Sequence, residues 1–98
     1  MAILEVKNLK KVYTTRLGGN RVEALEFRAT AKSAVCGKPL MELALQPNLL
    51  ICAINRSGRI LTPGGRDTIE AGDTVVVVTT ATGLNDLDDI LDKRRVRT

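Results

Sequence analysis

EAGDTVVVVTT, residues 70–80, is the stretch that decides the fold. Four consecutive valines flanked by threonines are typical of a buried strand, because β-branched side chains pack well on a pleated sheet. A tight turn over Glu70–Asp73 comes directly before them, and Gly72 is the residue that can adopt a positive φ there. We therefore predict a strand over Thr74–Thr80 that the chain enters through a tight turn.

Three further strands are predicted upstream of this one. Leu49–Ile54 is a continuous apolar run, and Arg59–Thr62 follows it after the turn Asn55–Gly58, so the pair is interpreted as a hairpin. Val22–Ala29 alternates apolar and charged residues with the period of two that a half-buried strand requires.

Two short helices are predicted to pack on this sheet. Pro39 suits the first turn of a helix, and Leu40, Leu43 and Ala44 form an apolar stripe after it. The second helix follows the valine strand. Its N-cap is predicted to be Thr82 or Asn85, and its apolar face consists of Leu84, Leu87 and Leu91.

The resulting order is β-α-β-β-β-α. We expect an α+β fold with a small, mainly antiparallel sheet and two helices. The Gly-rich break at Leu17–Asn20 separates this domain, residues 21–92, from an N-terminal segment over residues 1–20. That segment contains two strand-like stretches, Ile3–Leu9 and Lys10–Thr15, and is interpreted as an extra edge strand or an arm. Residues 93–98 form a basic tail.

The composition argues against catalysis and against metal binding. The chain has 98 residues, no histidine and two cysteines, which excludes Cys-His and Ser-His catalytic pairs and histidine-containing zinc sites. Cys36 and Cys52 lie among apolar residues and are interpreted as small hydrophobic side chains. No apolar run approaches the roughly 20 residues of a membrane span, and no secretory signal is evident. We expect a cytoplasmic protein that is not an enzyme.

The net charge of +4 is unevenly distributed along the chain. Residues 1–32 and 93–98 are basic, whereas residues 33–92 are acidic. A nucleic-acid-binding domain is expected to carry its basic residues across its folded face. Binding to nucleic acid is therefore not expected.

Several spaced motifs between residues 33 and 73 resemble the C-terminal (RCK-C) domain of TrkA-type potassium-uptake proteins. The motifs are SAVCGKPLMEL at 33–43, AINR at 53–56, ILTP at 60–63 and EAGD at 70–73. The resemblance covers about 70 residues, from Val22 to Leu91. It implies a regulatory lobe that pairs across a two-fold axis as a homodimer and acts on a membrane potassium channel or transporter, peripheral to the inner face of the plasma membrane.

In some members of this family the dimer cleft binds a small effector, notably cyclic di-AMP. The resemblance places the ligand-binding residues at Asn55, Arg56, Arg59, Ile60, Thr62 and Pro63. A two-fold axis presents each arginine twice, which suits a ligand with two phosphates. The alternatives are that the arginines are solvated hairpin charges, and that the module serves only dimerisation or scaffolding without a ligand. No dinucleotide-binding GxGxxG is present, so NAD is not implied as a cofactor.

An acidic cluster and the N-terminal segment suggest two further activities. The cluster consists of Asp86, Asp88, Asp89 and Asp92. Acidic clusters bind a cation in some relatives, but these residues lack EF-hand spacing, and a solvated helix face is the preferred interpretation. Residues 3–13 resemble the first strand of ABC-transporter ATPases, in which an aromatic residue at the position of Tyr13 stacks on adenine. Because no GxxxxGK[ST] loop follows, nucleotide hydrolysis is not expected.

Overall fold

The valine strand lies at the centre of a five-stranded antiparallel sheet. A computed structural model describes residues 9–81, 83–84 and 86–92. The strands are β1 (Leu9–Leu17), β2 (Asn20–Arg28), β3 (Leu49–Arg56), β4 (Arg59–Leu61) and β5 (Thr74–Thr79), arranged in the order β1-β2-β5-β3-β4.

Strand β5 holds the sheet together because it pairs with β2 on one side and β3 on the other. Val75 and Val77 point into the core and are fully buried. Phe27, directly opposite Val75 on β2, is also fully buried. The alternation seen in the sequence of β2 therefore marks its buried face, as expected for a strand with one face on the core.

The inner face of the sheet is covered by the connecting segments. Residues from the β2–β3 connection, the β4–β5 connection and the chain after β5 pack on it, and together with the strands they form one hydrophobic core. Its members outside the strands are Ala29, Val35, Ile69, Leu84, Leu87 and Ile90.

The prediction of two helices, and with it the α+β class and the β-α-β-β-β-α order, is wrong. In the described part of the chain the only helical elements are single 3₁₀ turns at Leu40–Glu42 and Leu87–Ile90. The fold is a mainly β structure with antiparallel pairing throughout the sheet.

The two predicted helices fail for a shared physical reason. Beyond Leu43 and beyond Ile90 the two segments run together, with Leu45 opposite Leu91 in an isolated antiparallel bridge. Gln46 N–H donates to the Ile90 carbonyl at 2.8 Å, and Asp92 N–H donates to the Ala44 carbonyl at 2.7 Å. A helix of so few residues forms too few internal hydrogen bonds to offset the unfavourable free energy of nucleation. The tertiary hydrogen bonds between the two segments are therefore formed instead.

The apolar stripe of the second segment also follows a different period from the predicted one. Leu84, Leu87 and Ile90 enter the core, whereas Leu91 is only half-buried. Spacing of three residues is the repeat of a 3₁₀ turn, not of an α-helix. The turn starts at Asp86, whose N–H donates to Asp89 Oδ2 at 3.1 Å. The predicted caps Thr82 and Asn85 lie outside the described residues.

The N-terminal segment contributes an edge strand. Leu9–Leu17 forms β1, which pairs antiparallel with β2 through a turn at Gly18 and Gly19. Their φ angles of 60° and 87° are those of a type I′ turn, which glycine adopts without strain. Most of the predicted Ile3–Leu9 strand and the basic tail, 93–98, lie outside the described residues, and the division at residue 20 stays a prediction.

Candidate ligand site at the β3–β4 hairpin

Four of the six residues predicted to bind a ligand lie on the β3–β4 hairpin, namely Asn55, Arg56, Arg59 and Ile60. The other two, Thr62 and Pro63, follow directly after β4. Ser57 and Gly58 connect the strands of the hairpin with φ angles of 54° and 88°, again a type I′ turn. Asn55 Oδ1 accepts a hydrogen bond from Gly58 N–H at 3.0 Å, which fixes the turn. Asn55 is therefore a turn-stabilising residue in this structure.

The hairpin divides the predicted residues between two faces. Ile54 pairs with Leu61 on the side of the core, and cross-strand partners share a face. Arg56 and its partner Arg59 follow on that same side, because side chains alternate along a strand. Asn55 and Ile60 form the pair between them and lie on the opposite face.

A pocket of about 260 Å³ lies beside the hairpin. Four of the six predicted residues line it, whereas Asn55 and Arg59 do not. Its lining residues are Ile54, Arg56, Ile60, Leu61, Thr62, Pro63, Asp67 and Thr68. This volume is slightly below the range of roughly 300–1,000 Å³ usual for ligand pockets. On a single chain the pocket is therefore large enough for only part of an effector.

Arg56 is engaged in an ion pair inside the protein. Its Nε donates to Asp73 Oδ1 at 3.0 Å and its Nη2 to Asp73 Oδ2 at 2.9 Å, a bidentate arrangement. Nη2 also donates to the Thr68 carbonyl at 2.9 Å. The Asp73 side chain is 2% exposed and that of Arg56 39% exposed. The arginine thus ties the end of β3 to the turn before β5.

The electrostatics of this pair favour both charged forms. Burial raises the pKa of Asp73, but hydrogen bonds from Arg56 and from the Glu70 N–H outweigh it and hold that pKa below its ordinary value. The hydrogen bond to Asp73 raises the pKa of Arg56, against the opposing effect of desolvation. Arg56 therefore stays charged, with much of its hydrogen-bonding capacity committed to the protein.

Asp73 is the residue that sequence reasoning missed. A buried carboxylate needs a charged or hydrogen-bonding partner, so a candidate partner should have been sought for an acid directly before a buried strand. Asp67 was missed as well. Its Oδ2 accepts from Gly64 N–H at 2.6 Å, and it adds a negative charge to the pocket. With one arginine and one aspartate, the lining of the pocket is close to neutral.

The six-residue ligand assignment stays a prediction. The main partner of Arg56 is Asp73, and because its side chain is 39% exposed, part of the guanidinium also faces solvent. Ile60 is 68% exposed and remains accessible to a ligand or a partner. Thr62 and Pro63 lie together at the pocket.

The acidic cluster after β5 takes part in structural contacts. Both carboxylate oxygens of Asp88 accept from Ala34 N–H, at 2.9 and 3.0 Å, which joins the last 3₁₀ turn to the β2–β3 connection. Asp92 is buried. Among the residues that the structure describes, no group of three or more His, Cys, Asp or Glu side chains is arranged to hold a metal ion.

The two cysteines are free thiols, and both are partly buried. Burial, together with the negative charges of Asp73, Glu70 and Asp88, raises the pKa of the Cys36 thiol. The thiol is thus kept protonated, the less nucleophilic form. Within residues 9–81, 83–84 and 86–92 no helix is long and apolar enough to cross a membrane.

The fold and this site define a small antiparallel β domain with a pocket lined about equally by apolar and by polar or charged residues, a make-up compatible with a binding site. The TrkA-C domain family matches residues 24–92, and the chain belongs to that family. The match begins within β2, so β1 lies outside it.

Curated relatives carry the same domain within much longer chains. Trk system potassium uptake protein TrkA homolog 1 of Methanosarcina mazei is 30% identical over 74 residues, covering 76% of this chain and 16% of the relative. The TrkA homolog of Archaeoglobus fulgidus is 37% identical over 60 residues, 61% of this chain and 14% of the relative. That of Pyrococcus abyssi is 30% identical over 74 residues, 74% of this chain and 33% of the relative. The chain spans about a third or less of these relatives.

Proposed function

We propose that this chain is a regulatory, non-catalytic module of a potassium-uptake system that binds a small effector such as cyclic di-AMP between two copies of itself. Membership of the TrkA-C family carries the proposal, and the relatives named above are potassium uptake proteins. The module acts at the cytoplasmic face of the membrane through a potassium channel or transporter subunit.

The size and shape of the pocket support a shared cleft. A volume of about 260 Å³ accommodates part of a dinucleotide, so a second copy is needed to enclose the rest. Ile60 and Pro63 contribute apolar surface to the pocket and Thr62 a hydroxyl group, and Ile60 is exposed enough to meet a base or a partner chain. Arg59 adds a positive charge at the hairpin tip on each copy.

The engagement of Arg56 favours a second candidate, a dimerisation or scaffold module without a ligand. Its guanidinium already holds Asp73 and the Thr68 carbonyl, and Asp67 opposes the approach of an anion to the pocket. On this alternative the copies still pair, and the pocket serves only as part of the contact between them.

Calorimetric titration with cyclic di-AMP, alongside sedimentation analysis of dimer mass, distinguishes the two. Ile60→Ala is the informative variant, because truncating an exposed side chain leaves the core intact. Its matched control is Leu50→Ala, since Leu50 is similarly exposed, at 63% against 68% for Ile60, and does not line this pocket.

We expect Ile60→Ala to weaken binding roughly tenfold and Leu50→Ala to change it by less than about twofold. Arg59→Ala should also weaken it. Arg56→Ala is a poorer test, because it breaks the pair with Asp73 as well. A dimer that gives no binding heat with cyclic di-AMP rejects the effector and supports the scaffold. A monomer at all concentrations rejects both.

A further inference from the structure

Strand β1 presents a long edge to solvent. It has nine residues and pairs only with β2, and no strand adds to its other side within the described residues. Its burial pattern is exposed along almost its whole length, on both faces. The opposite edge of the sheet, β4, has only three residues. β1 is therefore the main edge at which the sheet is able to grow.

The turn geometry determines which backbone groups of β1 point outward. In a two-residue type I′ hairpin, the residues flanking the turn form a hydrogen-bonded pair, here Leu17 and Asn20. Because hydrogen-bonded and non-hydrogen-bonded pairs alternate, the N–H and C=O groups of Arg16, Thr14 and Val12 are turned away from β2. They form a ladder ready for an incoming strand.

The edge is strongly basic. β1 reads LKKVYTTRL, with Lys10, Lys11 and Arg16 and no acidic residue. Neither salt bridge found among the described residues involves these three, because the pairs are Arg21–Glu23 and Arg56–Asp73. On β2, Glu26 lies directly opposite Lys11, whereas Arg16 lies opposite Arg21, whose guanidinium pairs with Glu23. Carboxylates added beside Lys10 and Arg16, which have no acid directly opposite them, are therefore favourable.

This charge pattern selects the occupant. A second copy of β1 would bring its three cations beside the three already present, with no carboxylate from either strand to offset them. A nucleic acid would satisfy the cations, but it has no peptide backbone to pair with the outward N–H and C=O groups. An extended acidic peptide satisfies both, since strand addition supplies the backbone hydrogen bonds and carboxylates supply the charge.

We propose that the free edge of β1 binds an extended acidic segment of a partner protein, which adds to the sheet as a further strand. The carboxylates of that segment lie near Lys10, Lys11 and Arg16, and its backbone pairs with residues 12, 14 and 16. This inference is independent of the effector site at β3–β4, because β1 lies at the other edge of the sheet.

The test is fluorescence anisotropy with a labelled peptide of about seven residues that alternates glutamate with valine or threonine, a length matched to one strand. It uses the full 98-residue chain. The paired variant Lys10→Glu with Arg16→Glu reverses the edge charge. Thr14→Pro removes one outward N–H, which an edge strand tolerates because β2 does not use it. The charge-matched control is the paired variant Lys38→Glu with Arg66→Glu, because both residues are exposed and neither lies on β1 or lines the β3–β4 pocket.

We expect the charge reversal on β1 and Thr14→Pro each to weaken binding roughly tenfold or more, and the control Lys38→Glu with Arg66→Glu to weaken it by less than about threefold. Circular dichroism checks that each variant keeps its sheet. Absence of binding to the wild type overturns the proposal. Equal weakening by Lys38→Glu with Arg66→Glu shows that the attraction depends on net charge alone, and this also overturns the proposal.

Two further outcomes identify a different occupant. Unchanged affinity in a folded Thr14→Pro variant, with a single-stranded oligothymidine displacing the peptide, points to a nucleic-acid surface and rejects strand addition. Wild-type dimerisation that is lost in Thr14→Pro and blocked by the peptide places a second copy at the edge, which contradicts the charge argument.

Discussion

The β1–β2 and β3–β4 hairpins turn through the same backbone geometry but are held to the protein in different ways. Both connections have two residues with positive φ, 60° and 87° in the first and 54° and 88° in the second. β1 is exposed on both faces and pairs only with β2 in the described part of the chain. β4 is three times shorter, yet its partner strand ends in the Arg56–Asp73 ion pair.

This difference shows that a turn defines a hairpin but does not decide how firmly it is anchored. Three kinds of contact attach the β3–β4 hairpin to the rest of the domain. β3 pairs with β5, core residues such as Ile54 are buried, and Arg56 binds Asp73. β1 is attached by the ladder to β2 and, at its first residue, by the contact of Leu9 with the core. We expect β3–β4 to unfold with the whole domain and β1 to open separately, because local stability follows buried contacts.

Of the variants considered, Asp73→Ala should reduce the stability of the domain most, because it removes the ion pair that attaches the β3–β4 hairpin. The substitution removes both carboxylate contacts to Arg56 and the acceptor of the Glu70 N–H. We expect the free energy of unfolding to fall by about 2 kcal/mol, less than for a fully buried pair because Arg56 keeps contact with water. Urea unfolding followed by circular dichroism measures it.

The matched control for that variant is Asp67→Ala. Asp67 also accepts a backbone hydrogen bond near the same pocket, from Gly64, but in an exposed turn. Its loss should cost about 0.5 kcal/mol. If the two variants lose equal stability, Asp73 is not the anchor of the hairpin.

Acid should weaken the Arg56–Asp73 ion pair, and the resulting loss of stability should be no larger than that caused by Asp73→Ala. The pKa of Asp73 in the folded protein is below its ordinary value of 3.8, so the unfolded chain binds the proton first. The contribution of the pair is therefore complete above that ordinary value and is lost as pH falls through the folded pKa. Urea unfolding at a series of pH values should show the gap between wild type and Asp73→Asn narrowing in this acidic range. A gap that stays constant there would show that Asp73 does not titrate with folding.

The strands were predictable from local sequence and the missing helices were not. The four valines and the alternation around Phe27 carry the β signal within a few residues. The stripe at Leu40, Leu43 and Ala44 carries an equally local helical signal. It is overridden by pairing between residues 44–46 and 90–92, which are far apart in sequence.

The candidate site was predictable in outline for a similar reason. Motif spacing located the hairpin and the residues Thr62 and Pro63, which do line the pocket. It did not reveal that Arg56 and Asp73 are partners, because 17 residues separate them and only the sheet brings them together. A charge whose partner lies on another strand is not visible in local patterns.

Gly18→Ala and Gly58→Ala compare the two hairpins directly, through a small and similar loss of stability in each turn. Both glycines have positive φ, and an added Cβ meets nothing within 4 Å at either position. The cost is therefore conformational and similar, about 1 kcal/mol each. What should differ is where that cost appears.

At Gly58 the loss should appear as a lower urea midpoint for the whole domain. At Gly18 the midpoint by circular dichroism should barely change, while hydrogen exchange of the β1 amides accelerates and that of β3 and β5 does not. Tyr13, the chain's single tyrosine, lies on β1 and gives a second local signal by fluorescence. If Gly18→Ala lowers the global midpoint as much as Gly58→Ala does, β1 folds cooperatively with the core, and the exposed strand is anchored as firmly as the buried one.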